Sequence, residues 1–234
     1  MTGPDAMIGV LMLKTRFPRI PGDIGNAATW PFPVRFKTVE VANPANVVTG
    51  GLSDERLLPA FLAAARELVA EGCAGITTSC GFLGPFQDEL ARAAGVPVAA
   101  SSLLQVPLVE RLLPPGQRAG VLTVRAASLT ARHLLAAGAR ADTPVMGTEA
   151  GAELSRVLLG DLPVLDPIGA EADMIAAGRA LVARHPEVGA IVLECTNMPP
   201  YGRALGRALG LPVYDIVSLI TWFRAGLAGR SFPS

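Results

Sequence analysis

Two stretches of the chain decide its fold: Cys80-Gly-Phe-Leu-Gly-Pro-Phe-Gln-Asp-Glu-Leu-Ala-Arg-Ala-Ala-Gly-Val-Pro-Val98 and Cys195-Thr-Asn-Met-Pro-Pro-Tyr-Gly-Arg-Ala-Leu-Gly-Arg-Ala-Leu-Gly-Leu-Pro-Val213. They align without a gap at a constant offset of 115 residues. The pairs Cys80/Cys195, Pro85/Pro200, Leu90/Leu205, Arg92/Arg207, Ala93/Ala208, Gly95/Gly210, Pro97/Pro212 and Val98/Val213 are identical, and Phe86/Tyr201 is close. A repeat at about half the chain length means two copies of one fold unit. Each copy opens with a cysteine. If the copies face each other, two thiols face each other across a cleft.

The flanking sequence repeats the same plan. Ala74-Gly-Ile-Thr-Thr78 and Gly189-Ala-Ile-Val-Leu193 are short apolar runs expected to be buried strands, and each delivers its cysteine just past its carboxyl end. Ile8–Leu13, Val34–Ala42, Val96–Ala100 and Ala119–Val124 are further strands. Helices are expected over Leu57–Ala70, capped by Ser53, and over Pro85–Ala94, Ser128–Ala137, Glu171–Arg184 and Ile216–Leu227. Alternating strands and helices predict an α/β fold of two pseudo-symmetric lobes. Each lobe is a mostly parallel sheet with helices on both faces, and the active site lies in the cleft between them. Residues 1–101 with 214–234 form the lobe carrying Cys80, and residues 102–213 form the lobe carrying Cys195. In parallel sheets ligands bind beyond the carboxyl ends of the strands, which is where both cysteines stand.

Composition narrows the function. The chain has 234 residues, half of them hydrophobic, and a formal net charge of zero. With no basic run to neutralise phosphates, nucleic acid is not an expected partner. No apolar run approaches the roughly 18 residues that span a bilayer, and Met1-Thr-Gly-Pro-Asp-Ala lacks the pattern of a signal peptide. Three cysteines, an odd number, point to free thiols and a cytoplasmic location rather than to a disulfide framework. His133 and His185 stand far apart with no cysteine at ligand spacing, so no metal site is expected. A chain this apolar is expected to form a homo-oligomer.

A pair of thiols suits carbon-acid chemistry. One group acts as thiolate base, the other as thiol acid on the opposite face of the same carbon. A thiol has an ordinary pKa of about 8.5 and needs help to ionise at neutral pH. The expected help comes from helix N-termini, with Pro85 in one copy and Pro199 or Pro200 in the other at the first helical position. Thr78, Ser79, Thr196 and Asn197 adjoin the thiols and are candidates to hold a substrate carboxylate. Gly81 and Phe82 follow the first thiol and complete that wall. Arg16, in the long Pro- and Gly-rich segment after the first strand, is a candidate carboxylate clamp. Asn26 is a candidate contact that also suits holding the turn after Gly25. Thr123, at a strand end in the second lobe, is a candidate hydrogen-bond donor to substrate. Glu194 is expected to be structural or paired in the interior, Asp23 to be a loop ion-pair partner, Ser128 to cap its helix, and Cys73 to be core.

At these residues the sequence resembles the aspartate/glutamate/hydantoin racemase superfamily. Glu194-Cys-Thr-Asn197 after a strand is similar to the second Cys-Thr signature, and Thr77-Thr-Ser-Cys80 stands where the first catalytic cysteine belongs. The resemblance implies a cleft between two lobes, catalytic Cys80 and Cys195, and no cofactor, pyridoxal phosphate included. There are departures. Gly81-Phe82 replaces the usual Asn-Thr after the first cysteine, and Asn197 stands where glutamate racemases have His. Phe82, Met198 and Tyr201 suggest a substrate less polar than glutamate.

The expected function is therefore a cofactor-independent racemase or epimerase of a small-molecule carboxylate, amino acid or hydantoin-like, working by 1,1-proton transfer between Cys80 and Cys195. A decarboxylase or cis-trans isomerase of a small dicarboxylate is the alternative within enzymes. A non-catalytic small-acid-binding protein is the alternative outside them.

Overall fold

The strands of the first unit are short and apolar because helices cover both of their faces. β1 (Ile8–Leu13) is buried at all six positions. Its side chains alternate: Ile8, Val10 and Met12 pack with Ile216, Leu219 and Ile220, while Leu11 and Leu13 join the larger cluster that holds Phe61 and Leu68. β1 pairs with β2 (Val34–Val39) and β3 (Gly75–Thr78), and β3 pairs with β4 (Val98–Ala99). The order is β2-β1-β3-β4. The second sheet is built from β5 (Arg118–Thr123), β6 (Val145–Gly147), β7 (Val188–Leu193) and β8 (Val213–Tyr214), in the order β6-β5-β7-β8. Every pairing in both sheets is parallel. The same order occurring twice is the repeat in three dimensions. The computed structural model describes residues 6–229. The signal-peptide expectation and the last residues of the 214–234 segment fall outside them.

The helices are α1 (Leu57–Ala70), α2 (Gln87–Ala94), α3 (Val106–Leu112), α4 (Ala131–Ala136), α5 (Leu154–Gly160), α6 (Pro167–Arg184), α7 (Pro199–Leu209) and α8 (Ile216–Ala228). α2 and α7 end alike: Gly95 and Gly210 both have φ +67°, and each returns its N–H to a carbonyl four residues back. That left-handed position is why glycine recurs there. α8 follows the second sheet in the chain, yet its residues Ile216, Leu219 and Ile220 pack on β1 of the first.

Three local expectations are corrected. Ser53 does not cap α1; its hydroxyl turns back to the Gly50 carbonyl. Asp54 accepts from the Arg56 N–H just before the helix instead. Ser128 closes a short 3-10 turn, and Thr130 caps α4 in a reciprocal pair with His133. The segment after Cys80 is not one α-helix from Pro85. Gly81–Phe86 is a 3-10 turn, opened by the Leu83 N–H on the Cys80 carbonyl at 3.0 Å, and α2 begins only at Gln87. Pro85, which has no N–H to donate, lies inside that tighter turn. In the second copy α7 does begin at Pro199.

Buried hydrogen bonds join the lobes. Thr196 Oγ1 donates to the Ser79 carbonyl at 2.6 Å. The Ile24 N–H reaches the Thr196 carbonyl at 3.3 Å. Thr196→Val keeps the shape of the side chain but removes the donor and leaves the Ser79 carbonyl unsatisfied. It should lower unfolding stability by about 1–3 kcal/mol in urea titrations. An unchanged urea midpoint would mean that this bond does not hold the lobes together.

Candidate active site

The two thiols reach one enclosed space because both strand ends are fixed by the turns that follow them. In the first lobe the Ser79 N–H extends the ladder to the Leu11 carbonyl at 2.8 Å, and Ser79 Oγ accepts from the Leu13 N–H at 2.9 Å. The Thr78 hydroxyl reaches the carbonyls of Cys80 and Ala100. In the second lobe the Glu194 N–H meets the Leu122 carbonyl at 2.8 Å, and the Met198 N–H closes a turn on the Cys195 carbonyl at 3.1 Å. Cys80 and Cys195 are buried, free, and both line a cavity of about 30 Å³. Ser79, Arg19, Glu194 and Asn197 supply its polar wall, while Phe17, Phe82, Val48, Val124 and Leu158 are among its apolar neighbours.

A polar chain runs into this cavity from the loop after β1. Arg19 Nη1 pairs with Asp23 Oδ1 at 2.9 Å, with both side chains largely buried. Asp23 Oδ2 accepts from Asn197 Nδ2, and Asn197 Oδ1 accepts from Cys195 Sγ at 3.4 Å. The Cys195 proton is thereby aimed at an amide oxygen held in place by a buried ion pair.

Five of the residues singled out in the sequence meet in the cavity wall: Cys80, Cys195, Ser79, Phe82 and Asn197. The others serve the frame. Arg16 is exposed and pairs with Asp161, so the arginine of the site is Arg19, three residues on. Asn26 caps the turn Ala27–Thr29 and donates to the Arg19 carbonyl. Thr78 and Thr196 spend their hydroxyls on backbone carbonyls. Thr123 Oγ1 donates to Glu194 Oε2 at 2.7 Å. Gly81 has its use in what it lacks: a Cβ there would collide with the Glu194 carbonyl and carboxyl. Arg19, Asp23 and Glu194 were not singled out as site residues. The i,i+4 spacing of Arg19 and Asp23 was visible, but nothing in the loop ranked Arg19 above Arg16.

The electrostatics differ from the sequence expectation. Burial, then Glu194, pushes both thiols above the ordinary range, and backbone N–H groups of Phe82 and Asn197 oppose this only in part. No α-helix N-terminus follows Cys80 directly, because the 3-10 turn Gly81–Phe86 precedes α2. Glu194 is itself pushed up to about 8 by burial, with the Thr123 hydrogen bond opposing. Burial thus favours the protonated form of all three groups. Cys73 lies in the core, its thiol raised to about 11, mainly by burial. Among the described residues no group of three or more His, Cys, Asp or Glu is arranged to hold a metal ion, and no helix is long and apolar enough to cross a membrane.

No family profile matches the chain. It is 30% identical over 228 residues to dimethylsulfoniopropionate lyase 5 of Emiliania huxleyi (strain CCMP1516), covering 91% of this chain and 44% of that protein. It is 28% identical over 236 residues to the dimethylsulfoniopropionate lyase of Durusdinium sp. clade D, covering 94% of this chain and 75% of that one. The chain thus spans less than half of the first relative. Among solved structures, unliganded arylmalonate decarboxylase superposes with a TM-score of 0.59 at 18% identity, over 97% of this chain and 94% of that one. Glutamate racemase from Francisella tularensis subsp. tularensis SCHU S4 in complex with D-glutamate gives 0.54 at 16%, over 97% and 85%. Allantoin racemase from Pseudomonas fluorescens gives 0.54 at 13%, over 97% and 99%. The chain has the two-lobed α/β fold of these solved structures, as the resemblance implied. The expected activity is corrected. The curated relatives are lyases, which overturns racemisation by 1,1-proton transfer together with its decarboxylase, cis-trans isomerase and binding-protein alternatives. A thiol pair beside a carbon acid is common to several reactions, and the thiols alone do not choose among them.

Two consequences of the Glu194 position can be measured. Gly81→Ala forces a methyl group into Glu194 and should cost about 1–3 kcal/mol of stability, seen as a lower thermal midpoint. The pH dependence follows from the raised carboxyl. The folded chain keeps a proton that the unfolded chain releases above its ordinary pKa of 4.5. The stability this contributes is complete below 4.5 and is lost as pH rises through about 8. Between those values wild type should lose stability relative to Glu194→Gln by up to about 1.4 kcal/mol per pH unit. Parallel urea-stability profiles for the two proteins at pH 5 to 8 would show that Glu194 does not hold this proton.

Proposed function

We propose that this chain is a lyase that eliminates dimethyl sulfide from dimethylsulfoniopropionate, or from a close β-sulfonio carboxylate, to give acrylate. The likeness to dimethylsulfoniopropionate lyases over 91% and 94% of the chain carries this reading. Two free thiols lining one buried cavity support it.

The chemistry required is removal of a proton from the carbon next to the carboxylate. The basic thiol first loses its own proton to solvent; its thiolate then takes the α-proton, the C–H electron pair becomes the C=C bond, the C–S bond breaks, and neutral dimethyl sulfide departs with the former bonding pair. The leaving group needs no proton. The thiol that received the α-proton returns it to solvent after the products leave. The environments of the cysteines divide the work. Cys80 accepts from the Phe82 N–H and is favoured as thiolate by Arg19. Cys195 donates to Asn197 Oδ1; burial, Glu194, Cys80 and Asp23 disfavour its thiolate, and the Asn197 N–H opposes them with no cation to help. Cys80 is therefore assigned as the base. Cys195 is assigned as the donor to the carboxylate oxygen on which charge builds in the transition state. Arg19 and Asn197 line the polar end and suit the substrate carboxylate.

The cavity of about 30 Å³ holds little more than water. Substrate entry requires one wall to move. Pro44 and Val48 stand on the short turn around Ala45–Thr49, which runs into Gly51 and Leu52 at positive φ. That segment is assigned as the moving wall, and its closure excludes water from the base.

Headspace gas chromatography tests the assignment. Wild type should release dimethyl sulfide from dimethylsulfoniopropionate without added cofactor. Cys80→Ser and Cys195→Ser should each lower the rate by about 10²-fold or more while keeping the wild-type thermal midpoint. A folded wild type that yields no dimethyl sulfide would refute the assignment.

A further inference from the structure

Glu194 is the residue in this site that the elimination chemistry leaves without a task. Its side chain is fully buried beside both thiols. Oε2 is satisfied by Thr123, whereas Oε1 is buried with no hydrogen-bond partner among the described residues. A buried polar atom left this way is costly and is rarely kept without a use. The chain makes room for it: Gly81 places bare backbone where any side chain would displace the carboxyl.

The groups that share this space are Cys80 from the end of β3, Cys195 beside Glu194 in the chain, and the Arg19–Asp23 pair from the loop after β1. Arg19 is the cation of the cavity wall; it pairs with Asp23 and donates to Thr15, and no ion pair joins it to Glu194 among the described residues. No positive group of the wall is left to balance an ionised Glu194. A ligand that brings its own positive charge would supply the missing partner. The apolar side chains around the cavity suit the methyl groups of such a cation, and the Phe82 ring in the wall suits its charge.

We propose that Glu194 is the counter-ion for a cationic β-substituent, so that the site selects onium carboxylates over carboxylates of the same shape whose tail is uncharged. This rests on the elimination reading above and names the feature of the substrate that the site recognises. Arg19 and Asn197 take the anionic end and Glu194 the cationic end. On binding, Glu194 gives up its proton to solvent and pairs with the cation.

Two ligands of equal shape separate the charge from the fit: the zwitterion 3-(trimethylammonio)propanoate and 4,4-dimethylpentanoate, the isostere whose tail is uncharged. Neither carries a leaving group as good as a sulfonium, so both can be titrated calorimetrically. Wild type should bind the cationic ligand at least about tenfold more tightly than the isostere. Glu194→Gln keeps the Thr123 hydrogen bond and should erase that preference. Titrations at pH 7 in buffers of different ionisation enthalpy should report release of most of one proton when wild type binds the cation, and none when it binds the isostere. Equal affinities in wild type, a preference that survives in Glu194→Gln, or no proton release would each overturn the counter-ion role. If Glu194→Gln does not fold, the wild-type proton count still decides. Dimethyl sulfide release without a cation preference removes the counter-ion role alone. Absence of both release and binding removes the substrate reading beneath it.

Discussion

The hydrogen bond from Thr196 Oγ1 to the Ser79 carbonyl joins the residue after one thiol to the residue before the other. It is buried and spans the two sheets, so the distance between the thiols is set by backbone rather than by flexible side chains. Parallel sheets with both faces covered leave only their carboxyl edges for chemistry. Two such edges turned toward each other produce a cavity whose contents are decided by a few residues just past β3 and β7. The Ile24 N–H on the Thr196 carbonyl reinforces the same seam. In this molecule lobe packing and site geometry are one constraint.

Within that frame the site is short of positive charge. Arg19 is neutralised by Asp23, both thiols sit above their ordinary range, and Glu194 is raised to about 8. Burial is the leading cause at all three titrating groups, and Glu194 is the second cause at both thiols. A site of this kind gains by receiving a charged ligand, because the ligand resolves interactions that the protein leaves open. The proposed β-sulfonio carboxylate carries one charge of each sign. Its cation would relieve Glu194, and its carboxylate would meet Arg19 and Asn197. Loss of the cation as neutral sulfide would undo the first pairing in the same step that forms the double bond.

The repeat made the fold legible before any coordinates. An alternation of apolar strands and helices, duplicated at a fixed offset, leaves few arrangements other than two like sheets, and the shared strand order follows from it. Cysteines at equivalent strand ends were legible for the same reason. Local terminations were less so. Ser53 and Ser128 have the chemistry of helix caps, but Asp54 and Thr130 stand closer to where the helices begin. Pro85 has the look of a first helical residue, yet it lies in a 3-10 turn that gives way to α2 only at Gln87.

Sequence by itself determined the two-lobed architecture and the strand ends that carry Cys80 and Cys195, because repetition and periodicity are properties of the chain alone. Tertiary structure decided which polar residues belong to the site. Arg16 and Arg19 are equivalent in the loop as written, and only the fold turns one to Asp161 and the other to Asp23 and the cavity. Glu194 follows an apolar strand and looks like a buried structural acid. Its unpartnered oxygen exists only once Gly81 of the other lobe is brought against it. Such relations join residues more than a hundred positions apart. They depend on how two cores dock, and no local pattern encodes that.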